Sequence, residues 1–111
     1  MSGPKKYRVV WVRTASGDLE SIAGYIAEDS PARALDILDG IERAAEKLAI
    51  MPGRGRVVPE LVVFGINNYR QLIHFPWRII YRIAQEEVVV LAVLDSRRRL
   101  EDLLLERLVR E

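Results

Sequence analysis

The sequence predicts an α+β fold in which helices pack on one face of an antiparallel sheet. The chain opens on a short alternating apolar stretch and then continues through a long stretch of helical periodicity. Three Val- and Ile-rich runs with very short links follow. Helices gathered before closely linked strands are typical of a domain whose helices cover one sheet face.

The N-terminal stretch at residues 7–12 predicts a strand. Its side chains alternate, so Val9 and Trp11 point to one side while Val10 and Val12 point to the other. Apolar residues on both sides favour a strand inside the sheet over one at an edge.

A helical hairpin is predicted next. From Ser16 the apolar residues follow the period of a helix, which we expect to end near Asp29. Ser30 is suited to cap a second helix, and Pro31 suits its first position, where a missing N–H costs nothing. The apolar stripe then runs to the breaker "MPGRG". Acidic residues occupy the outer surface of this hairpin.

The second half of the chain predicts a meander and a final helix. Residues 53–68 are expected to form a loop in which "ELVVF" could be a short strand. Strands are expected at residues 69–75, 77–84 and 88–94, with links short enough for hairpins. The last predicted helix is based on four leucines at helical spacing, namely Leu100, Leu103, Leu104 and Leu108.

Composition places the chain among folded soluble domains. Its 111 residues are half hydrophobic and 30% charged, which predicts one domain over residues 1–111. There is no cysteine, so disulfides and thiolate metal sites are excluded. No apolar stretch resembles a signal peptide or a membrane span. We therefore expect a cytoplasmic protein that does not bind membranes.

The net charge of +1 hides a strong division along the chain. Residues 1–13 hold four bases and no acid, and residues 14–52 hold three bases and eight acids. Residues 53–85 hold five bases and one acid, and residues 86–111 hold five bases and seven acids. If the two basic segments lie side by side, one face can attract an anionic partner.

Strand alternation predicts where the arginines of the meander point. In "WRIIYRI" the side chains of Trp77, Ile79, Tyr81 and Ile83 are expected to face the helical hairpin. Those of Arg78, Ile80 and Arg82 then face the other way. We expect Arg70, Leu72 and His74 of the preceding strand to join that uncovered cationic face, with Arg54 and Arg56 of the loop beside them.

A plainer interpretation of these arginines remains open, whereas two catalytic interpretations are disfavoured. Arginines are common on a solvated sheet face, where their stems cover apolar surface. Against this, only Glu60 is acidic between Arg54 and Arg82. "GRGR" lacks the lysine and the strand-to-helix setting of a phosphate loop. His74 is the one histidine, and nothing in the spacing supports a triad with Asp95 and Ser96. No cofactor or metal is expected.

Several of these motifs together resemble a known family over nearly the whole chain. The hairpin "DLESIAGYIAEDSPARA", the loop "PGRGRVVPEL" and the strands "YRQLIHFPWRIIYRI" and "VVVLAVLDSRRR" are similar to those of RelE/ParE toxins. This resemblance implies a toxin of a type II toxin-antitoxin module. It also implies a cognate ParD-like antitoxin that wraps around the toxin in a hetero-oligomer.

Two activities compete within that family. RelE-like members cleave messenger RNA on the ribosome with basic residues and a Tyr, His or Lys as proton carrier. This chain has no Tyr, His or Lys after position 81, and arginine titrates too high to exchange protons readily. A ParE-like toxin that inhibits DNA gyrase by protein contact is therefore preferred. A ribosome-dependent endoribonuclease is the alternative, and a member that retains little toxicity is a third possibility.

The resemblance also implies candidate site residues. An endoribonuclease would use Arg70, His74, Arg78 and Arg82. The expected partner-binding residues are Arg56, Arg70, Leu72, Arg78, Ile80, Arg82, Arg97 and Arg98. We further expect an acidic amphipathic segment of the antitoxin on the basic sheet face, or an added strand at a sheet edge.

Overall fold

The computed structural model describes residues 6–103. In chain order, the strands within this range are β1 (Arg8–Trp11), β2 (Arg56–Val57), β3 (Arg70–His74), β4 (Trp77–Ala84) and β5 (Glu87–Asp95). The helices are α1 (Arg13–Ala27), α2 (Pro31–Glu46) and α3 (Pro59–Val62), with 3-10 turns at Lys47–Ala49 and Pro52–Arg54. Residues 100–103 are also helical. The predicted α+β class is confirmed.

The helical hairpin forms at the predicted break between its helices. The Ser30 Oγ accepts a hydrogen bond from the Arg33 amide (3.2 Å), and Pro31 occupies the first turn of α2. This satisfies an otherwise unpaired N–H at the helix start. Helix α1 begins at Arg13, three residues before the predicted start, and the Ser16 amide donates to the Val12 carbonyl.

The five strands form one mixed sheet in the order β1-β5-β4-β3-β2. Strands β3, β4 and β5 make the predicted antiparallel meander. Strand β1 pairs parallel with β5 and lies at the edge of the sheet, so the prediction of an internal strand is wrong. Val9 and Trp11 pack against the main hydrophobic cluster and Val10 is half-buried, so apolar residues on both sides of a strand do not require a neighbouring strand at each edge.

Helices α1 and α2 cover one face of the sheet, which we call the hairpin face. Trp77, Ile79 and Tyr81 point to it as predicted, whereas Ile83 is 38% exposed. The buried residues of the main cluster on this face are Ala15, Leu19, Ile41, Ala45, Ile79, Val90 and Val93. This layer is the larger part of the core.

The opposite face of the sheet is covered as well, which the sequence did not predict. "ELVVF" is not a strand: Pro59 starts the short helix α3, and Leu61 packs on this face. Leu100 of the helical run 100–103 packs there too and is only 4% exposed. The expectation of an uncovered cationic face is therefore wrong, because α3 and the run at 100–103 form a third layer.

A β-bulge in β5 shifts the alternation of its side chains by one residue. Ile80 is opposite Ala92 and Tyr81 is opposite Val90, which leaves Leu91 as an extra residue. Val90 consequently faces the hairpin while Ala92 faces the opposite layer.

The predicted C-terminal helix is only partly within the described residues. Leu100 and Leu103 are helical, whereas Leu104 and Leu108 lie outside the described range. Within residues 6–103, no helix has the length and apolar character needed to cross a bilayer.

Candidate partner-binding groove

An apolar groove lies on the opposite face, between α3, the sheet and the helical run 100–103. Its volume is about 370 Å³. The side chains that line it are apolar or aromatic, and they include Leu61, Tyr69, Ile80, Leu94 and Leu103. A concave apolar surface of this kind fits the apolar side of an amphipathic segment.

An ion pair between a buried arginine and a half-buried glutamate holds α3 over this face. The guanidinium of Arg78 donates to both carboxylate oxygens of Glu60, at 2.8 Å and 3.0 Å, and also to the side-chain oxygen of Gln71. Arg78 is 6% exposed and Gln71 is 5% exposed. The bond from Arg78 holds the pKa of Glu60 below its ordinary value, and the nearby charge of Arg56 acts in the same direction.

This arrangement affects two predicted partner-binding residues in different ways. Arg78 was expected on an open cationic surface, but its charge is buried and neutralised by Glu60. Ile80 is buried in the cluster beneath the groove. Arg78 therefore lies beside the groove without lining it, whereas Ile80 lines the groove, so its partner-binding role stays a prediction.

Three other predicted site residues lie on the hairpin face, although they were expected on the opposite face with Arg78 and Arg82. The register pairs Arg70 with Tyr81, Leu72 with Ile79 and His74 with Trp77, so all three point to the hairpin face. The cause is the two-residue turn between β3 and β4. It pairs even-numbered residues of β3 with odd-numbered residues of β4, and directly paired side chains share a face.

On the hairpin face, Arg70 and His74 have structural neighbours. Arg70 Nη1 donates to the Gly55 carbonyl (2.7 Å). A methyl group built on Gly40 of α2 would be 3.0 Å from the His74 Nε2, so His74 lies directly against α2. Leu72 is half-buried and packs against both hydrophobic clusters of the hairpin face.

The remaining predicted residues are accessible. Arg82 is half-buried, and alternation places it on the opposite face, two residues along β4 from Ile80. It has no ion pair with any residue in the range 6–103. Arg56 is exposed in β2, opposite Gln71. Arg97 and Arg98 are exposed after β5, and Arg97 donates two side-chain bonds to Asp95.

Sequence reasoning missed the partners of Arg78 and most of the groove. Glu60 carried one usable signal, since it is the single acid in a long basic segment. Gln71, which accepts a bond from Arg78, and Tyr69, which lines the groove, carried no such signal. Their roles depend on the face to which each side chain points. Among the described residues, no group of His, Asp or Glu is arranged to hold a metal ion.

Comparison with known proteins shows which class of protein has this architecture. Residues 9–100 match the family described as the ParE toxin of type II toxin-antitoxin system, parDE. The chain is 31% identical over 98 residues to Toxin ParE3 of Caulobacter vibrioides, across 84% of this chain and 90% of that protein. The protein is thus a toxin of a type II toxin-antitoxin system.

Two solved structures share the fold. One is a chromosomal ParDE system from P. aeruginosa, with a TM-score of 0.66 and 21% identity, covering 82% of this chain and 97% of the other. The other is the RelBE2 toxin-antitoxin complex of Mycobacterium tuberculosis, with a TM-score of 0.61 and 24% identity, covering 86% and 97%. Within the toxin class, the chain belongs to the ParE family, as its sequence motifs predicted.

Proposed function

We propose that this toxin inhibits DNA gyrase through protein contact, and that a ParD-like antitoxin neutralises it by binding across the groove. The observation that carries the first part is the separation of the candidate catalytic residues. Arg70 and His74 lie on the hairpin face, whereas Arg82 lies on the opposite face. The sheet itself stands between them.

This separation disfavours the alternative of an endoribonuclease. Cleavage of RNA by its own 2′-hydroxyl needs a base, an acid and a cation around one phosphate. The remaining member of the set, Arg78, is buried and its charge is already neutralised by Glu60. The four residues therefore have no common point at which a phosphate can bind.

A direct comparison of the two targets tests this proposal. The purified toxin is added to a gyrase supercoiling reaction and, separately, to a ribosome-dependent translation reaction with labelled messenger RNA. We expect loss of supercoiling with the messenger intact. Cleaved messenger together with undisturbed supercoiling would reject the gyrase proposal.

The groove supports the second part, concerning the antitoxin. Its apolar lining fits the apolar side of an amphipathic helix, and Arg82 beside Ile80 offers a cation for an acidic residue of that helix. The substitution Arg82→Glu should weaken the complex about tenfold or more, since like charges at an interface are costly.

A matched control separates this contact from a general charge effect. Arg33 is an exposed arginine of α2 on the far side of the domain, and Arg33→Glu makes the same change in net charge. Its affinity for the antitoxin should stay within about twofold of the unsubstituted toxin. Equal weakening by both variants would show that the groove is not the binding site.

A further inference from the structure

The turn between β3 and β4 presents an exposed aromatic side chain that folding does not require. Phe75 is 75% exposed. Two-residue hairpin turns favour Gly, Asn and Asp, whose backbones adopt the turn geometry at little cost. A large apolar side chain in solvent at this position contributes little to the core, so its presence points to a contact outside the chain.

The segment after β5 holds this turn in a fixed position. Ser96 donates twice to the Pro76 carbonyl, from its amide (2.7 Å) and from its hydroxyl (2.8 Å). The register also places Trp77 opposite Asp95, so the two segments are neighbours at the same end of the sheet. A side chain on a fixed turn loses little conformational freedom when it binds a partner.

Two cations border the turn on this segment. Arg97 and Arg98 directly follow Ser96, and both are exposed. The Arg97 side chain remains 62% exposed although it is paired with Asp95, and a surface pair of this kind is weak enough to exchange partners. We call Phe75 together with Arg97 and Arg98 the Phe75 knob.

The other exposed aromatic residues of the described chain lack this setting. Phe64 is 77% exposed but belongs to an uncharged stretch, residues 61–69. Tyr25 is 76% exposed on the acidic helical hairpin. Aromatic and arginine side chains together carry much of the binding energy at protein interfaces. Among these three residues, only Phe75 combines a fixed turn with neighbouring arginines.

We propose that the Phe75 knob is the surface through which the toxin contacts its target, and that the target offers an apolar pocket rimmed by carboxylates. This inference deepens the proposed function and rests on its premise that the toxin acts by protein contact. Phe75 does not line the groove. Target contact and antitoxin binding therefore depend on different side chains.

The experiment compares two exposed phenylalanines of nearly equal accessibility. Full-length Phe75→Ala and Phe64→Ala are each induced in cells that lack the antitoxin, and growth is recorded over a range of inducer. The purified variants are also titrated into the gyrase supercoiling reaction, and their affinity for the antitoxin is measured. Phe75→Ala should need about tenfold more toxin, or greater, for the same effect on growth and on gyrase.

The proposal is tested by comparing the toxicity and the antitoxin affinity of Phe75→Ala with those of Phe64→Ala. Phe64→Ala should retain toxicity, and both variants should retain antitoxin affinity within about twofold. Full toxicity of the Phe75→Ala variant would overturn the proposal that the Phe75 knob contacts the target. Loss of antitoxin affinity in Phe75→Ala would overturn it too, since the two functions would then share one surface or the fold would be damaged.

A second variant tests the charged part of the knob. Arg98→Glu should also lose toxicity, because it places a carboxylate against the carboxylates of the target. Unchanged toxicity of Arg98→Glu would contradict the acidic rim. If the unsubstituted toxin arrests growth but leaves gyrase active, the gyrase proposal fails. The growth measurements on the variants then still show whether the Phe75 knob contacts the target. A chain that does neither overturns both proposals.

Discussion

Arg78 of β4 and Glu60 of α3 form a two-point ion pair on the opposite face of the sheet. The Nη1–Oε2 distance is 2.8 Å and the Nη2–Oε1 distance is 3.0 Å. This pair connects the buried floor of the groove to the short helix that forms one of its walls. Four residues of α3 cannot hold a helical position on their own, since isolated helices of this length are unstable in water.

Removing the charge of Glu60 should destabilise the fold. In Glu60→Gln, the Arg78 charge stays buried without a carboxylate. Breaking a fully buried pair costs about 3–5 kcal/mol, and the one-third exposure of Glu60 reduces our expectation to about 1–3 kcal/mol. Urea unfolding monitored by circular dichroism measures the free energy of unfolding. Glu101→Gln removes an exposed ion pair with Arg99 on the helical run 100–103, and as a control it should change the free energy of unfolding by no more than about 0.5 kcal/mol.

The stability of the protein should depend on pH through the same carboxyl group. Because Arg78 lowers the pKa of Glu60 below its ordinary value of 4.5 in the folded state, the unfolded chain binds this proton more tightly. The contribution of Glu60 is therefore present above pH 4.5 and is lost as the pH falls through the folded pKa.

Urea unfolding of the unsubstituted toxin and of Glu60→Gln at a series of acidic pH values measures the contribution of the Glu60 carboxylate. The free energy of unfolding should fall less steeply with acidification in Glu60→Gln than in the unsubstituted toxin. Asp95, whose pKa is lowered mainly by its hydrogen bond from Arg97, titrates equally in both chains and serves as an internal control. Identical acid profiles would contradict a stabilising role for the Glu60 carboxylate.

Tyr81 should stabilise the loop before β2 through its hydroxyl group. This hydroxyl donates to the Pro52 carbonyl (2.7 Å) and accepts from the Gly55 amide (2.9 Å), while the side chain is fully buried. Burial raises its pKa, so it stays a neutral donor near pH 7. Tyr81→Phe removes the partner of the buried Gly55 amide and of the half-buried Pro52 carbonyl, and it should cost about 1–3 kcal/mol.

The control for Tyr81 is the same change at an exposed tyrosine. Tyr25→Phe should leave the free energy of unfolding within about 0.5 kcal/mol of its original value. Thermal unfolding of both variants provides the comparison. A Tyr81→Phe protein as stable as Tyr25→Phe would show that the two hydrogen bonds contribute nothing net.

Asp18 of α1 should stabilise β5 at the point where β1 has ended. The last paired residues of β1 and β5 are Trp11 and Val90, and beyond them the Val93 amide donates to Asp18 Oδ2 (3.0 Å). Asp18→Ala removes this acceptor and should cost about 1–2 kcal/mol. Asp18→Asn keeps an oxygen at the same place and should retain most of the stability. Equal losses in the two variants, measured by urea unfolding, would contradict this role.

The sequence predicted those parts of the fold that local patterns encode. Ser30 and Pro31 marked the break between the helices because capping acts within one turn of the chain. The meander was also encoded locally. The links around Pro76 and Gln85 are so short that consecutive strands can only be joined as hairpins.

The faces of the meander required information that local patterns do not contain. The side on which Arg70 and His74 lie depends on the length of one turn, and a difference of a single residue moves every side chain of β3 to the other face. Helix α3 was missed because its position depends on the contact between Glu60 and Arg78, two residues on separate elements. Alternation within β4 sufficed to place Arg78, Ile80 and Arg82 on one face, but it did not indicate that Arg78 is buried against Glu60.

The parallel pairing of β1 with β5 affects when this toxin can complete its structure. Arg8 and Glu87 are 79 positions apart, so β1 can pair with β5 only after the whole stretch between them has been made. Contacts this distant in sequence close late in folding. Prematurely terminated products that stop before β5 lack the partner of their first strand and one wall of both hydrophobic layers. Synthesis must therefore pass Asp95 before the complete five-stranded sheet can form.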